Sequence, residues 1–167
     1  MKIETLLRPK ILAMMLISAG MLSAQISQPS VGSAPTSPPR DEIKSIAIAL
    51  RGNRAALMKL KPTAAQVAQI AAAPEDAAKL NAYVEKLYAS VSQEGLTSSS
   101  PDQTDVFVNL DMPGGYERIK GRLKPGVTVY GFKYAVPGQT TGMAYDGLIK
   151  LDGQWILIPK LWRAFSD

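Results

Sequence analysis

Two groups of residues have types and spacings that could do chemistry. The first centres on Asp146, set between Tyr145 and Gly147 in an apolar run, with Tyr116, Tyr130 and Tyr134 upstream. A carboxylate can take up a proton while a tyrosine hydroxyl steadies the charge that develops. Asp146, Tyr145 and Tyr130 are therefore the candidates for proton transfer, with Tyr116 and Tyr134 as further donors. The plainer account is a strand aspartate on a solvated edge and tyrosines filling a tapering core, their hydroxyls at its rim. The second group is Arg118, Lys120, Arg122 and Lys124, at every second position. On a strand these four share one face and alternate with Ile119, Gly121 and Leu123. Such a row fits an anionic ligand, an acidic partner or lipid headgroups, with Tyr134 as a further contact for a ligand or partner. It fits equally well an edge strand kept from aggregating by its charge.

Composition removes other chemistry. The chain has 167 residues, no cysteine and no histidine. That excludes disulfides, thiolate metal sites and the side chain best suited to proton transfer at neutral pH. The sequence contains no Gly-rich phosphate loop, no nucleophile elbow and no carboxylate cluster with metal spacing, so no cofactor and no metal is expected.

The opening residues read as an export signal. Lys2, Arg8 and Lys10 precede an apolar run, Ile11 to Leu22, too short to span a bilayer, with cleavage expected near Ala24–Gln25. Removing residues 1–24 takes away three of 19 basic and one of 14 acidic residues and leaves a surplus of three positive charges. So small a surplus on an exported chain argues against nucleic acid as a partner. Membrane contact is expected only through the signal before cleavage. Gln25 to Arg40, rich in Pro and Ser, has almost nothing to bury and reads as a disordered linker.

The remainder, from Asp41 to Asp167, reads as a single α+β domain. Ile43, Ile46, Ala47 and Leu50 recur at helical steps, and Gly52-Asn53 ends that helix. Arg54 to Lys61 resumes, Thr63-x-x-Gln66 forms a capping box, and Pro74-Glu75-Asp76 starts the most regular helix, through Leu80, Val84, Leu87 and Val91. Beyond Gln103 the period changes to alternation: Val106 to Leu110, Tyr116 to Leu123, Val127 to Val136 and a terminal hairpin. The expected fold is N-terminal helices packed on a curved antiparallel sheet of four to six strands.

The hairpin is the sharpest structural signal. Asp152-Gly153 between apolar runs predicts a type I′ turn, which pairs Leu151 with Gln154, Lys150 with Trp155, Ile149 with Ile156 and Leu148 with Leu157. Both faces are apolar, so both should be covered, and Trp155 is expected to be buried with the Lys150 stem along its ring. Trp162, near the end, reads as a plug at the sheet edge or as an exposed binding spot.

The run Ala-Leu-Arg-Gly-Asn-Arg-Ala-Ala-Leu, further helices, and antiparallel strands ending Asp-Gly-Leu-Ile-Lys-Leu-Asp-Gly-Gln-Trp-Ile-Leu-Ile-Pro-Lys together resemble the nuclear-transport-factor-2-like superfamily. The resemblance runs from about Asp41 to Phe165 and implies a bent sheet wrapped by helices into a cone with an internal pocket. The group usually places a strand between its helices, whereas no clear strand precedes Val106 here. Its members include isomerases, dehydratases, ligand binders and non-catalytic interaction domains, so the likeness bears on fold more than on activity.

The residues lead to an exported, disulfide-free, non-catalytic envelope domain that binds a small apolar ligand or an envelope protein, with homodimer formation as a further expectation. The alternative is a small pocket enzyme of isomerase or dehydratase type using Asp146 and tyrosine donors. A third reading is a membrane-associated accessory protein that uses the basic row.

Overall fold

The computed structural model describes residues 39–91, 95, 100–109 and 114–166. The export signal and nearly all of the linker lie outside these residues. Four helices come first: α1 (Arg40–Leu50), α2 (Arg54–Lys59), α3 (Ala64–Ile70) and α4 (Pro74–Ala89). Their ends follow local chemistry. Gly52 takes φ +57° between α1 and α2, and the Asn53 side chain accepts from Ala56 N at 3.0 Å to start α2. Gln66 N donates to Thr63 Oγ1 at 3.2 Å and Thr63 N to Gln66 Oε1 at 2.9 Å, which is the capping box read from the sequence. Pro74 opens α4, with Glu75 and Asp76 in its first turn.

The sheet is an antiparallel meander in the order β1-β2-β3-β4. Its strands are β1 (Asp105–Asn109), β2 (Val129–Ala135), β3 (Gly142–Leu151) and β4 (Gln154–Leu157). Helices ahead of a four-stranded antiparallel sheet are the α+β arrangement expected, with the strand count at the lower end. The hairpin has the anticipated register, Leu148↔Leu157 through Leu151↔Gln154, and both Asp152 (φ 48°) and Gly153 (φ 80°) are left-handed. Ile149 and Ile156 on one face, and Leu148 and Leu157 on the other, are all at most 2% exposed. The ribbon is therefore covered on both sides. Glu42 of α1 reaches Lys150 and Trp155, while Gln66 and Gln69 of α3 reach Gln154 and Asp152. Leu157 N donates to Leu60 O at 2.9 Å, so the segment after α2 occupies part of the outer edge of β4.

Two expectations need correction. Trp155 is half-buried rather than buried. Its Nε1 donates to Glu42 Oε2 at 2.8 Å, Tyr130 meets it edge-on at 5.7 Å, and Lys150 Nζ stands 5.5 Å from the ring centroid, as a rim indole with a polar handle should be placed. The second correction concerns Tyr116 to Leu123, which is not a strand. It folds as a short helix α5 (Gly115–Arg118) followed by a 3₁₀ turn (Lys120–Arg122). Tyr116, Ile119 and Leu123 satisfy i, i+3, i+7 as well as alternation satisfies the basic row, so the local pattern is ambiguous. Burial of Tyr116 and Ile119 decides it. Only Leu123 makes a bridge, with Ala71, flanked by Ala72 N donating to Arg122 O and Lys124 N to Ile70 O, each at 2.9 Å.

The interior is one cluster. Phe132, Tyr134, Leu148 and Leu157 of the sheet pack with Ile43 and Ala47 of α1, Leu57 of α2, Ile70 of α3 and Leu80 of α4, and Ile158 and Leu161 extend it toward a C-terminal 3₁₀ turn (Leu161–Phe165). α1 lies against β1 and β2, and α4 lies against α3 and the C-terminal turn.

Candidate functional site

Asp146 sits where β3 breaks its register. The pairing of β2 with β3 shifts at Tyr130/Gly131, and Gly147 opposite takes φ +95°. A Cβ at Gly147 would stand 2.0 Å from Ile158 O, so only glycine lets the chain after β4 approach this closely. Ile158 N donates to Gly147 O at 2.9 Å, and the following residues then pass over Asp146. Asp146 Oδ1 accepts two hydrogen bonds, from Tyr116 Oη at 2.8 Å and from Lys160 N at 2.7 Å. Lys160 is left-handed (φ 52°, ψ 40°), and the carboxylate holds its amide in that turn. Tyr83 Oη donates to Pro159 O and Tyr88 Oη to Leu157 O, both at 2.8 Å. Two hydroxyls and one carboxylate, itself held by the Tyr116 hydroxyl, thus secure residues 157 to 160.

The electrostatics keep these tyrosines protonated. Burial pushes the Tyr116 hydroxyl far above the ordinary phenol range, and the charge of Asp146 and its hydrogen bond push the same way. Burial also raises Tyr88 and Tyr83; at Tyr83 the Arg163 guanidinium opposes the shift and Asp146 adds to it. Each serves as a donor. Beside them a cleft of about 340 Å³ is bordered by Tyr83, Leu87, Met143, Tyr145, Asp146 and Arg163.

The other candidate residues are scattered. Tyr145 stacks on Phe132, with centroids 5.3 Å apart and rings 20° from parallel. Tyr130 turns its ring to Trp155, edge-on at 5.7 Å. Tyr134, expected as a ligand or partner contact, is fully buried in the core, and its hydroxyl donates to Ala47 O. Tyr83 and Tyr88, which matter most to the C-terminal segment, were visible in the sequence only as tyrosines flanking the apolar stripe of α4. That position suits a buried ring with a hydroxyl that reaches a carbonyl.

The basic row does not share one face. Helical geometry pairs residues four apart, so Arg118 and Arg122 line one cleft and Lys120 and Lys124 another. The lysine cleft, about 540 Å³, also takes in Tyr116, Leu123, Val127 and Val129. Its lysines are engaged: Lys120 pairs with Glu117 at 2.6 Å and Lys124 donates to Ala68 O at 2.9 Å. The arginine cleft, about 320 Å³, adds Gly115, Ile119, Trp162 and Phe165. There Arg122 Nη1 reaches the buried Asp76 at 3.2 Å, while Arg118 is exposed and has no ion-pair partner among the described residues. Among the described residues no group of three acidic side chains could hold a metal ion, and no helix is long and apolar enough to cross a membrane.

Comparison with family models, curated proteins and solved structures finds no match for this chain.

Proposed function

We propose that the protein is an exported, non-catalytic α+β domain that binds a small ligand or a protein partner in the cell envelope. The observation that carries this reading is the engagement of the Asp146–Tyr116 pair. A general base needs a lone pair aimed at a substrate proton. Asp146 Oδ1 receives Tyr116 Oη and Lys160 N, both from the chain itself, so this oxygen is committed to holding the turn at Lys160. The filled interior supports the same reading, since Phe132 and Tyr134 occupy the space under the sheet. Export is supported by the charged start and apolar run of residues 2 to 22.

A second reading, a pocket enzyme of isomerase or dehydratase type, draws on one observation. Asp146 borders a cleft of about 340 Å³ that Tyr83 and Tyr145 also line. Native mass spectrometry of protein isolated from its own cells separates the two. The binding reading expects a retained small molecule or partner chain, unchanged on incubation and equally retained by an Asp146→Asn variant. A retained molecule that is converted by the parent and not by Asp146→Asn supports the enzyme. A bare chain in every preparation would sink the binding reading.

A further inference from the structure

The cleft between α5 and the C-terminal 3₁₀ turn brings together groups that the fold itself does not use up. Arg118 is exposed with no ion-pair partner among the described residues. Arg122 gives Nη1 to Asp76, but its side chain stays 52% exposed, so part of its fork of donors faces solvent. Two acids that reach this segment are engaged, Asp76 by Arg122 and Glu117 by Lys120. Among the described residues, the side chains lining the cleft carry positive charge only.

The C-terminal turn adds aromatic rings to the same cleft. Trp162 lies directly over Gly115, where a Cβ would stand 2.6 Å from the indole, so any other residue at 115 would push the ring away. Phe165 of the same turn also lines the cleft, and Ile119 lines it from the segment that carries the arginines. Trp162 Nε1 is buried and has no acceptor among the described residues, a standing cost unless a bound acceptor relieves it. The Arg163 guanidinium carbon stands 5.3 Å from the centroid of the same ring and adds positive potential.

We propose that this cleft is the binding site for a small organic anion. Its carboxylate or phosphate group sits against Arg118 and Arg122, and its apolar body lies on Trp162 and Phe165. A guanidinium presents paired N–H donors that match either oxyacid. The volume, about 320 Å³, suits a body of roughly one ring, at the small end of ligand pockets. This proposal rests on the binding role stated above and names its site and ligand class. A soluble metabolite and a lipid headgroup both supply the required chemistry.

The test uses indole emission. The protein has two tryptophans, so a Trp155→Phe background makes Trp162 the reporter. Phenyl phosphate and phenylacetate are titrated, with inorganic phosphate as the anion without a body. The expected result is a saturable change in Trp162 emission with at least one aromatic anion, and binding at least about tenfold weaker for inorganic phosphate. Adding Arg118→Gln should weaken binding about tenfold or more while leaving the melting temperature unchanged. Vesicles of phosphatidylglycerol that displace phenyl phosphate identify a lipid headgroup as the source, and vesicles that do not displace it identify a soluble ligand; both outcomes keep the site. No saturable change below ~10 mM, or equal binding by Arg118→Gln, or equal binding of inorganic phosphate, would overturn the proposal. If these titrations fail while native mass spectra still show a retained molecule, the site assignment falls and the binding role stands. If both fail, both fall.

Discussion

The C-terminal 3₁₀ turn borders two clefts, one with a carboxylate and tyrosines and one with arginines and an indole, and their polar groups are put to different use. At the Asp146 end, the carboxylate Oδ1 and the hydroxyls of Tyr116 and Tyr83 bond to backbone groups of residues 159 and 160 or to one another, all within the chain. At the Trp162 end, Arg118 and the indole Nε1 have no partner among the described residues, and Arg122 is only partly engaged. The first arrangement explains itself as structure: the bulge at Gly147 brings a left-handed turn against the sheet, and buried amides there need acceptors. The second has no such explanation in the fold. Chemistry that looks catalytic in a list of residue types can be consumed by the backbone, and the groups left over are better guides to a ligand.

The comparison can be broken or sharpened by substitution. The largest effect is expected for Gly147→Ala, which combines φ +95° with a Cβ 2.0 Å from Ile158 O. A loss of about 3 kcal/mol or more by chemical denaturation is expected, and a loss under ~1 kcal/mol would mean the chain after β4 is not held against the bulge. Tyr116→Phe should come next. It removes one of the two donors to Asp146 while keeping the ring, at a loss of about 1–2 kcal/mol. A melting curve equal to that of the parent would show that the Asp146 end is as unsatisfied as the arginine end.

Alkaline pH probes the same cluster. Tyr88, Tyr116 and Tyr134 are all raised chiefly by burial, so the folded state holds their protons more tightly than the unfolded chain does. Their contribution is complete below the unfolded phenol value of about 10 and is lost as pH rises from there through the higher folded values. Tyr116→Phe should make that decline shallower in urea midpoints measured across the range. At the acid end Glu42 provides a milder handle. Hydrogen bonds from Lys150, and then from Trp155, hold its carboxyl below the usual range. Its contribution is present above the unfolded glutamate value of about 4.3 and lost as pH falls through the depressed folded value. Emission from Trp155, in a protein whose Trp162 is replaced by Phe, should follow this step, and Glu42→Gln should abolish it. The smallest effect on stability is expected for Arg118→Gln, within about 0.5 kcal/mol by thermal melting. A larger loss would place Arg118 in the framework and close the gap between the two ends.

How much of this was legible depends on distance along the chain. The terminal hairpin could be read residue by residue, because a two-residue turn sets its register locally. So could the capping box at Thr63 and the breaks at Gly52 and Pro74. The stretch from Tyr116 to Leu123 could not, because the same eight residues satisfy both periods. The basic alternation that suggested a strand belongs to side chains that face solvent in either form. The candidate site was half legible: Asp146 with a tyrosine donor was anticipated, and Tyr116 is that donor, but the pair serves the backbone of Lys160. Tyr83 and Tyr88 carried no sequence signal for their partners, which lie 76 and 69 residues away.

The amino-acid order alone determined helices ahead of a sheet, the hairpin with its apolar faces, the capping box of α3 and the proline start of α4. These rest on turn geometry, side-chain period and neighbouring donors, all within a few residues. Tertiary structure alone decided that residues 116 to 123 coil, that the four bases divide between two clefts, and that Asp146 closes the chain while Arg118 is left over. Those outcomes depend on which buried amide or ring arrives from a distant segment, and no local pattern specifies that.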